Sequence, residues 1–159
     1  MIEKMKILCA AVLLLSVFAQ AAAAASGIRV VDGDSIMAGG REIRLSGIDA
    51  PEYFQTCYDA GGKEYACGKK ARRALEKLVG KDLSCKRAAR DKYGRDVSVC
   101  FSRGVNINEK MVEIGWAVAY KRYTDEYNGA EKLAKKNKRG IWQGRFMKPE
   151  LYRILNRKP

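Results

Sequence analysis

The chain of 159 residues contains no histidine. A nucleophile–histidine pair is therefore excluded, and any proton transfer falls to a carboxylate or a metal-bound hydroxide. Zinc is also disfavoured, because the cysteines show no C-x-x-C spacing and have no histidine to join them. There is no internal repeat, and no low-complexity stretch beyond a run of alanines near the N-terminus. Acidic residues are scarce beside basic ones, 18 against 31, for a formal charge of +13. Such a charge calls for a polyanionic partner: nucleic acid, acidic polysaccharide or a membrane surface.

Residues 1–25 carry Lys4 and Lys6, then ILCAAVLLLSVFA, then small residues. This tripartite order predicts a signal peptide cut between Ala22 and Ser26. An uncleaved membrane anchor is the alternative, since the apolar run nearly reaches spanning length. Cys9 precedes the apolar run, which argues against a lipid anchor. The remainder is long enough for one hydrophobic core and too short for two. It divides into a domain over 26–145 and a basic tail over 146–159.

Four cysteines remain after the signal, and an even count in an exported domain reads as two disulfides. The runs DLSCKRA and DVSVCF flank the turn Asp91-Lys92-Tyr93-Gly94. With Asp91 facing Gly94, Cys85 faces Cys100 across the hairpin, at a separation suited to bridging. Cys57 and Cys67 then pair with each other and close the loop after Glu52.

The stretch 27–48 reads as strands turning at Gly39-Gly40. Residues 53–67 read as a polar loop, and GKKARRALEKLVG as a helix with Gly80 at its cap. Asn106 and Glu109 have capping-box spacing and open a helix to about Ile114, stopped by Gly115. WAVAY reads as extended. Thr124 opens a third helix that ends near Gly140, after which Ile141 and Trp142 turn back to the core. Pro149 starts a final helical turn. Strands, helix, strands, helix, helix is an α+β order. A small antiparallel barrel with helices against it fits, and the five-stranded oligonucleotide-binding (OB) barrel is one such solution.

Against the basic background, Asp34, Asp49 and Glu52 stand close to Arg44, and Arg95 ends the turn DKYGR. DGD alone is ordinary turn chemistry. Hard oxygen ligands beside guanidinium forks point instead to a divalent cation and a phosphate. Arg44 lies between Ile43 and Leu45 and points to the opposite face of its strand. Lys69, Lys70, Arg72 and Arg73 open one helix and Lys135, Lys136, Lys138 and Arg139 end another. Most are solvated faces, with some placed to track a nucleic-acid backbone. Tyr120, Tyr123 and Tyr127 are candidates for base stacking, or simply for core and surface.

The segments DGDS, RLSGIDAPE, DKYGR, VNINEKMVEIGWA and AEKLAKKNKRGIW together resemble the thermonuclease, or staphylococcal-nuclease-like, family across nearly the whole domain. The resemblance implies an OB barrel with about three helices. It implies an exported, calcium-dependent endonuclease of low sequence specificity, acting on DNA and RNA. Asp34, Asp49 and the Ala50 carbonyl would hold Ca2+, and Glu52 would hold or deprotonate the attacking water. Arg44 and Arg95 would bind the phosphate, Tyr93 would lie beside it, and Tyr120 would stack on a base. Ser35 stands where many members have threonine, and the four cysteines fit an exported branch. The expectation is a secreted or periplasmic monomer without a stable protein partner, away from the membrane once the signal is cut. A non-cutting nucleic-acid-binding barrel and an envelope protein binding acidic glycans are the rival readings.

Overall fold

In a computed structural model the described residues are 27–120 and 125–156. Residues 1–26, 121–124 and 157–159 lie outside them, and with them the expected signal peptide, Tyr123 and Thr124. The first strands are β1 (Arg29–Val30), β2 (Ser35–Ala38), β3 (Arg41–Leu45) and β4 (Ile48–Asp49). β2 and β3 form the expected hairpin, and Gly39 and Gly40 both take positive φ at its turn. Such a turn matches the twist of its strands and admits few residues other than glycine and asparagine. β7 (Ser84–Arg90), β8 (Asp96–Ser102) and β9 (Val105–Asn106) complete a sheet of order β1-β2-β3-β8-β7, with β9 also on β8. The β3–β8 pairing is parallel and the others antiparallel, so the curled sheet is mixed. β10 (Val118–Ala119) pairs with β4.

Four α-helices are described where about three were expected: α1 (Cys67–Leu78), α2 (Ile107–Glu113), α3 (Asn128–Lys136) and α4 (Pro149–Leu155). The α+β, OB-like class holds. Asn106 caps α2 as its spacing foretold, accepting from the backbone N–H of Asn108 and Glu109. The core lies between sheet and helices, with Ile36, Leu45, Ile48, Leu75, Ile107, Met111 and Tyr127 fully buried. Ile141 is buried too, in a 3-10 turn over Gly140–Gln143.

Some local expectations shift. The loop after Glu52 contains a small hairpin, β5 (Cys57–Tyr58) with β6 (Glu64–Tyr65). Gly80 does not adopt the left-handed cap; Val79 ends α1, and the Gly80 N–H donates to Ser102 Oγ instead. α3 begins at Asn128. Both disulfides form as paired from the sequence, Cys57–Cys67 and Cys85–Cys100. The register behind that pairing needs one correction. Near the turn the Asp91 N–H donates to the carbonyl of Arg95, and Arg90 faces Asp96. An irregularity between Arg87 and Ala89 absorbs one residue, after which Cys85 faces Cys100. An extra residue of this kind is the mark of a β-bulge.

Candidate active site

Asp34 stands between Gly33 and the first residue of β2, and two glycines bring the carboxylate-bearing segments together. A Cβ on Gly33 would lie 2.6 Å from the Ala50 Cβ, and one on Gly68 would lie 1.7 Å from the Glu52 carbonyl oxygen. Neither position admits a side chain. The start of α1 thereby packs directly on the backbone of Glu52 and Tyr53. Asp32 shapes the same turn, its Oδ1 accepting the Asp34 N–H at 3.0 Å.

Arg44 joins the acids. It projects from β3, and its Nη1 donates to Asp34 Oδ1 at 2.6 Å while Nη2 donates to Asp49 Oδ1 at 2.8 Å. The other Asp34 oxygen accepts the Ala50 N–H at 2.7 Å. Asp34 and Asp49 are almost wholly buried. Burial pushes the Asp34 carboxyl up to about 6 against the pull of Arg44, and raises Asp49 against the hydrogen bond it accepts from Arg153. Desolvation disfavours the charged form, and pairing with arginine restores only part of what water supplied.

Glu52 follows in the next turn, its backbone N–H donating to Gln55 Oε1 at 3.2 Å. Gln55 is fully buried, and its Nε2 donates to the Met147 carbonyl at 2.7 Å. The loop carrying Glu52 is thus tied to the segment that leads into α4. From α4, Arg153 reaches back to the site. Its Nη1 donates to Asp49 Oδ1 at 2.8 Å and to Glu52 Oε1 at 2.7 Å, and its Nη2 to Asp49 Oδ2 at 3.2 Å.

Asp34, Arg44, Asp49 and Glu52 therefore converge as their spacing suggested, with Ala50 among them. Arg95 stands apart from the cluster. Its Nε donates to Asp91 Oδ2 at 2.7 Å, and it pairs with Glu42 at 3.6 Å. Glu42 and Arg44 are alternate residues of β3, so Arg95 lies along the same face of the sheet. Tyr93 is exposed at the turn, with the Arg95 guanidinium 5.5 Å from its ring centroid. Tyr120 is half-buried, and its hydroxyl donates to Glu150 of α4 at 2.9 Å. Arg153 and Gln55 escaped the reading of the sequence. Nothing local distinguishes Arg153 from the other basic residues of the tail, whereas Gln55 is a polar residue in a loop whose burial only the fold reveals.

Beside Glu52, Phe54 is 78 % exposed, which is uncommon for an aromatic held in an ordered loop. Tyr53 lines a shallow hollow with Lys69, Arg72, Arg73 and Glu76 at the start of α1. Among the described residues no three acidic or cysteine side chains gather closely enough to hold a metal ion by themselves. Two carboxylates with water and a substrate phosphate is nonetheless an accepted way to hold a hard cation.

The family described as staphylococcal nuclease homologue matches residues 42–144. The succinoglycan biosynthesis protein ExoI of Rhizobium meliloti is 38 % identical over 138 residues, covering 82 % of this chain and 71 % of that protein. An uncharacterized endonuclease of Haemophilus influenzae is 33 % identical over 72 % of this chain and 64 % of its own length. Endonuclease YhcR of Bacillus subtilis is 33 % identical over 72 % of this chain, which spans only 11 % of that protein.

Proposed function

Since the chain belongs to the staphylococcal nuclease homologue family, we propose that it is an exported, calcium-dependent endonuclease of low sequence specificity that cuts DNA and RNA. The observation that carries this reading is the fork of Arg44 across two buried aspartates, with Glu52 in the adjoining turn. The Asp34 and Asp49 carboxylates, with the Ala50 carbonyl, would hold Ca2+, and their all-oxygen chemistry fits a hard cation. When bound, calcium supplies neutralisation of phosphate charge and a template for the substrate.

The chain's own groups perform the rest. Glu52 stands at the rim of the cluster, partly open to solvent, where its carboxylate can hold a water and take its proton. With no histidine present, the base is a carboxylate or a metal-bound hydroxide, and Glu52 is the carboxylate of the cluster that solvent reaches. Arg44 offers fixed donors in a poorly solvated place, where they stabilise charge developing on the phosphate. Arg95 adds a second guanidinium once it turns from Asp91 toward the substrate. Tyr93 and Phe54 offer exposed rings for unstacked bases. Lys69, Lys70, Arg72 and Arg73 supply a sequence-independent attraction for the backbone. Tyr120 is the candidate stacking residue on the α4 side. Single-stranded or frayed substrate is accordingly preferred.

Two disulfides support an oxidising compartment, either secreted or periplasmic. No described helix is long and apolar enough to cross a membrane. The protein is taken to act as a monomer. The name of the ExoI relative raises a second reading, a part in polysaccharide metabolism. The charge suits a polyanionic glycan, but the buried carboxylate–arginine cluster has no use in it.

The test is cleavage of labelled DNA and RNA by protein lacking residues 1–25, in calcium, magnesium or chelator. Calcium should support cutting and chelator abolish it. Glu52→Gln and Arg95→Ala should each lower the rate by about 10²- to 10⁴-fold. Cutting that ignores the chelator or both substitutions overturns the mechanism. Nucleic acid retained without cleavage would establish a binding module instead.

A further inference from the structure

The Glu52 carboxylate accepts one side-chain hydrogen bond among the described residues, from Arg153 Nη1 to Oε1 at 2.7 Å. Oε2 accepts no hydrogen bond among the described residues, and the side chain is partly exposed. The same guanidinium holds both oxygens of Asp49. Arg153 is itself held in place, because α4 and the segment leading into it are anchored at three points. Tyr120 donates to Glu150, Gln55 donates to the Met147 carbonyl, and the backbones of Arg145 and Tyr58 exchange hydrogen bonds at 2.8 and 2.9 Å. A glutamate has three side-chain torsions, and a partly exposed one samples many carboxylate positions unless a donor fixes it. The planar guanidinium, with its donors in fixed directions, ties that carboxylate to Asp49.

We propose that Arg153 is a positioning residue of the active centre, acting through Glu52: it fixes one carboxylate oxygen so that the other faces the attacking water. The proposal rests on the nuclease reading. It gives α4, outside the segment that matches the family, a part in the chemistry.

The test uses the full mature chain carrying Arg153→Ala, Arg153→Lys, Glu52→Gln, or Glu52→Gln with Arg153→Ala. The readouts are kcat and KM on a labelled single strand, calcium affinity by calorimetry, and melting temperature. Arg153→Ala should lower kcat at saturating calcium by about 10- to 100-fold, the scale of a displacement near 1 Å, and leave KM within about threefold. Lysine should recover part of the loss. In the Glu52→Gln background, removing Arg153 should cost nothing further, because residues that act as a unit are non-additive.

Additive losses overturn the proposal. So does a raised KM with kcat intact, which would make Arg153 a substrate contact. Calcium affinity rising about tenfold with kcat preserved would make it a plug in the cation seat. Loss of kcat in step with melting temperature, unrelieved by lysine, would make it a structural tie only. A wild type that cuts nothing in any metal overturns the nuclease reading and this proposal together, whereas a cutting wild type with an unimpaired Arg153→Ala overturns this proposal alone.

Discussion

Aspartates meet arginines in two regions of the molecule, with opposite consequences. At the site, Asp34 and Asp49 are buried, and burial raises both carboxyls despite Arg44 and Arg153. At the hairpin of β7 and β8, partial desolvation would also raise Asp91 and Asp96. There the hydrogen bonds from Arg95 to Asp91 and from Arg87 to Asp96 win, and both carboxyls are lowered. The charge balance differs as well. Asp34, Asp49 and Glu52 share Arg44 and Arg153, which leaves a negative charge over. Asp91 and Asp96 face Arg41, Arg87, Arg90 and Arg95, which leaves positive charge over. The first arrangement suits a cation and the second a polyanion. Asp96 is buried as well, but Arg41, Arg87 and Arg90 around it are largely exposed whereas Arg44 is not. Identical residue types thus become a strained centre or a settled surface according to how far their arginines reach water.

The largest expected break in that comparison is Arg44→Ala. It leaves two buried aspartates without their shared partner, and removing one member of a buried ion pair costs about 3–5 kcal/mol. Urea unfolding in chelator measures it, and a loss below about 1 kcal/mol would show that the pocket is effectively wet. The hairpin should depend on its covalent bond instead. Replacing Cys85 and Cys100 together with alanine opens a loop with a sequence separation of 15. The expected loss is about 3 kcal/mol on the chain-entropy account, read from the same unfolding curves.

The two regions were unequally legible in the sequence. The Asp34–Arg44–Asp49 part of the site spans the β2–β3 hairpin and the short strand β4 that follows it, so local spacing and alternation carry it. The Cys85–Cys100 pair was legible for the same reason, although the register near the turn was not. A bulge leaves no mark when its residue is one alanine among several. Strands β5 and β6 were missed because two-residue strands have no period. Arg153 was beyond reach for a different reason. Its partners lie about a hundred positions away, and the contact depends on how α4 docks rather than on any pattern within it.

Titration sharpens the contrast. The folded pKa of Asp34, about 6, lies above the ordinary 3.8. The folded state therefore binds this proton more tightly than the unfolded chain does. The resulting stability is complete below about pH 4 and is lost as pH rises through about 6, by roughly 2–3 kcal/mol. Asp91 and Asp96, with lowered values, contribute stability that is present above about pH 4 and lost as pH falls. In chelator, stability should decline between pH 4 and 7, and Asp34→Asn should flatten that decline. Saturating calcium should reverse the slope, because the cation needs the ionised carboxylates. A wild-type slope unchanged by the asparagine would show that Asp34 is not the group responsible.

The smallest effect belongs to Arg41→Ala, three positions from Arg44 on the same strand. The Arg41 side chain is 68 % exposed and lies 3.6 Å from Asp96. Asp96 is buried but the guanidinium end of the pair lies in solvent, where Coulomb attraction is weak and the long side chain loses freedom when it is held. Arg87 and Arg90 also stay with Asp96 after the substitution, so no carboxylate is left unpaired. The melting temperature should move by no more than about 2 °C. High salt should erase even that, since screening acts fully on exposed charges. The informative outcome is the ratio between the two substitutions. If Arg41→Ala destabilised the protein as much as Arg44→Ala, burial of the arginine could not be what separates the two regions, and the strain assigned to the site would lose its cause.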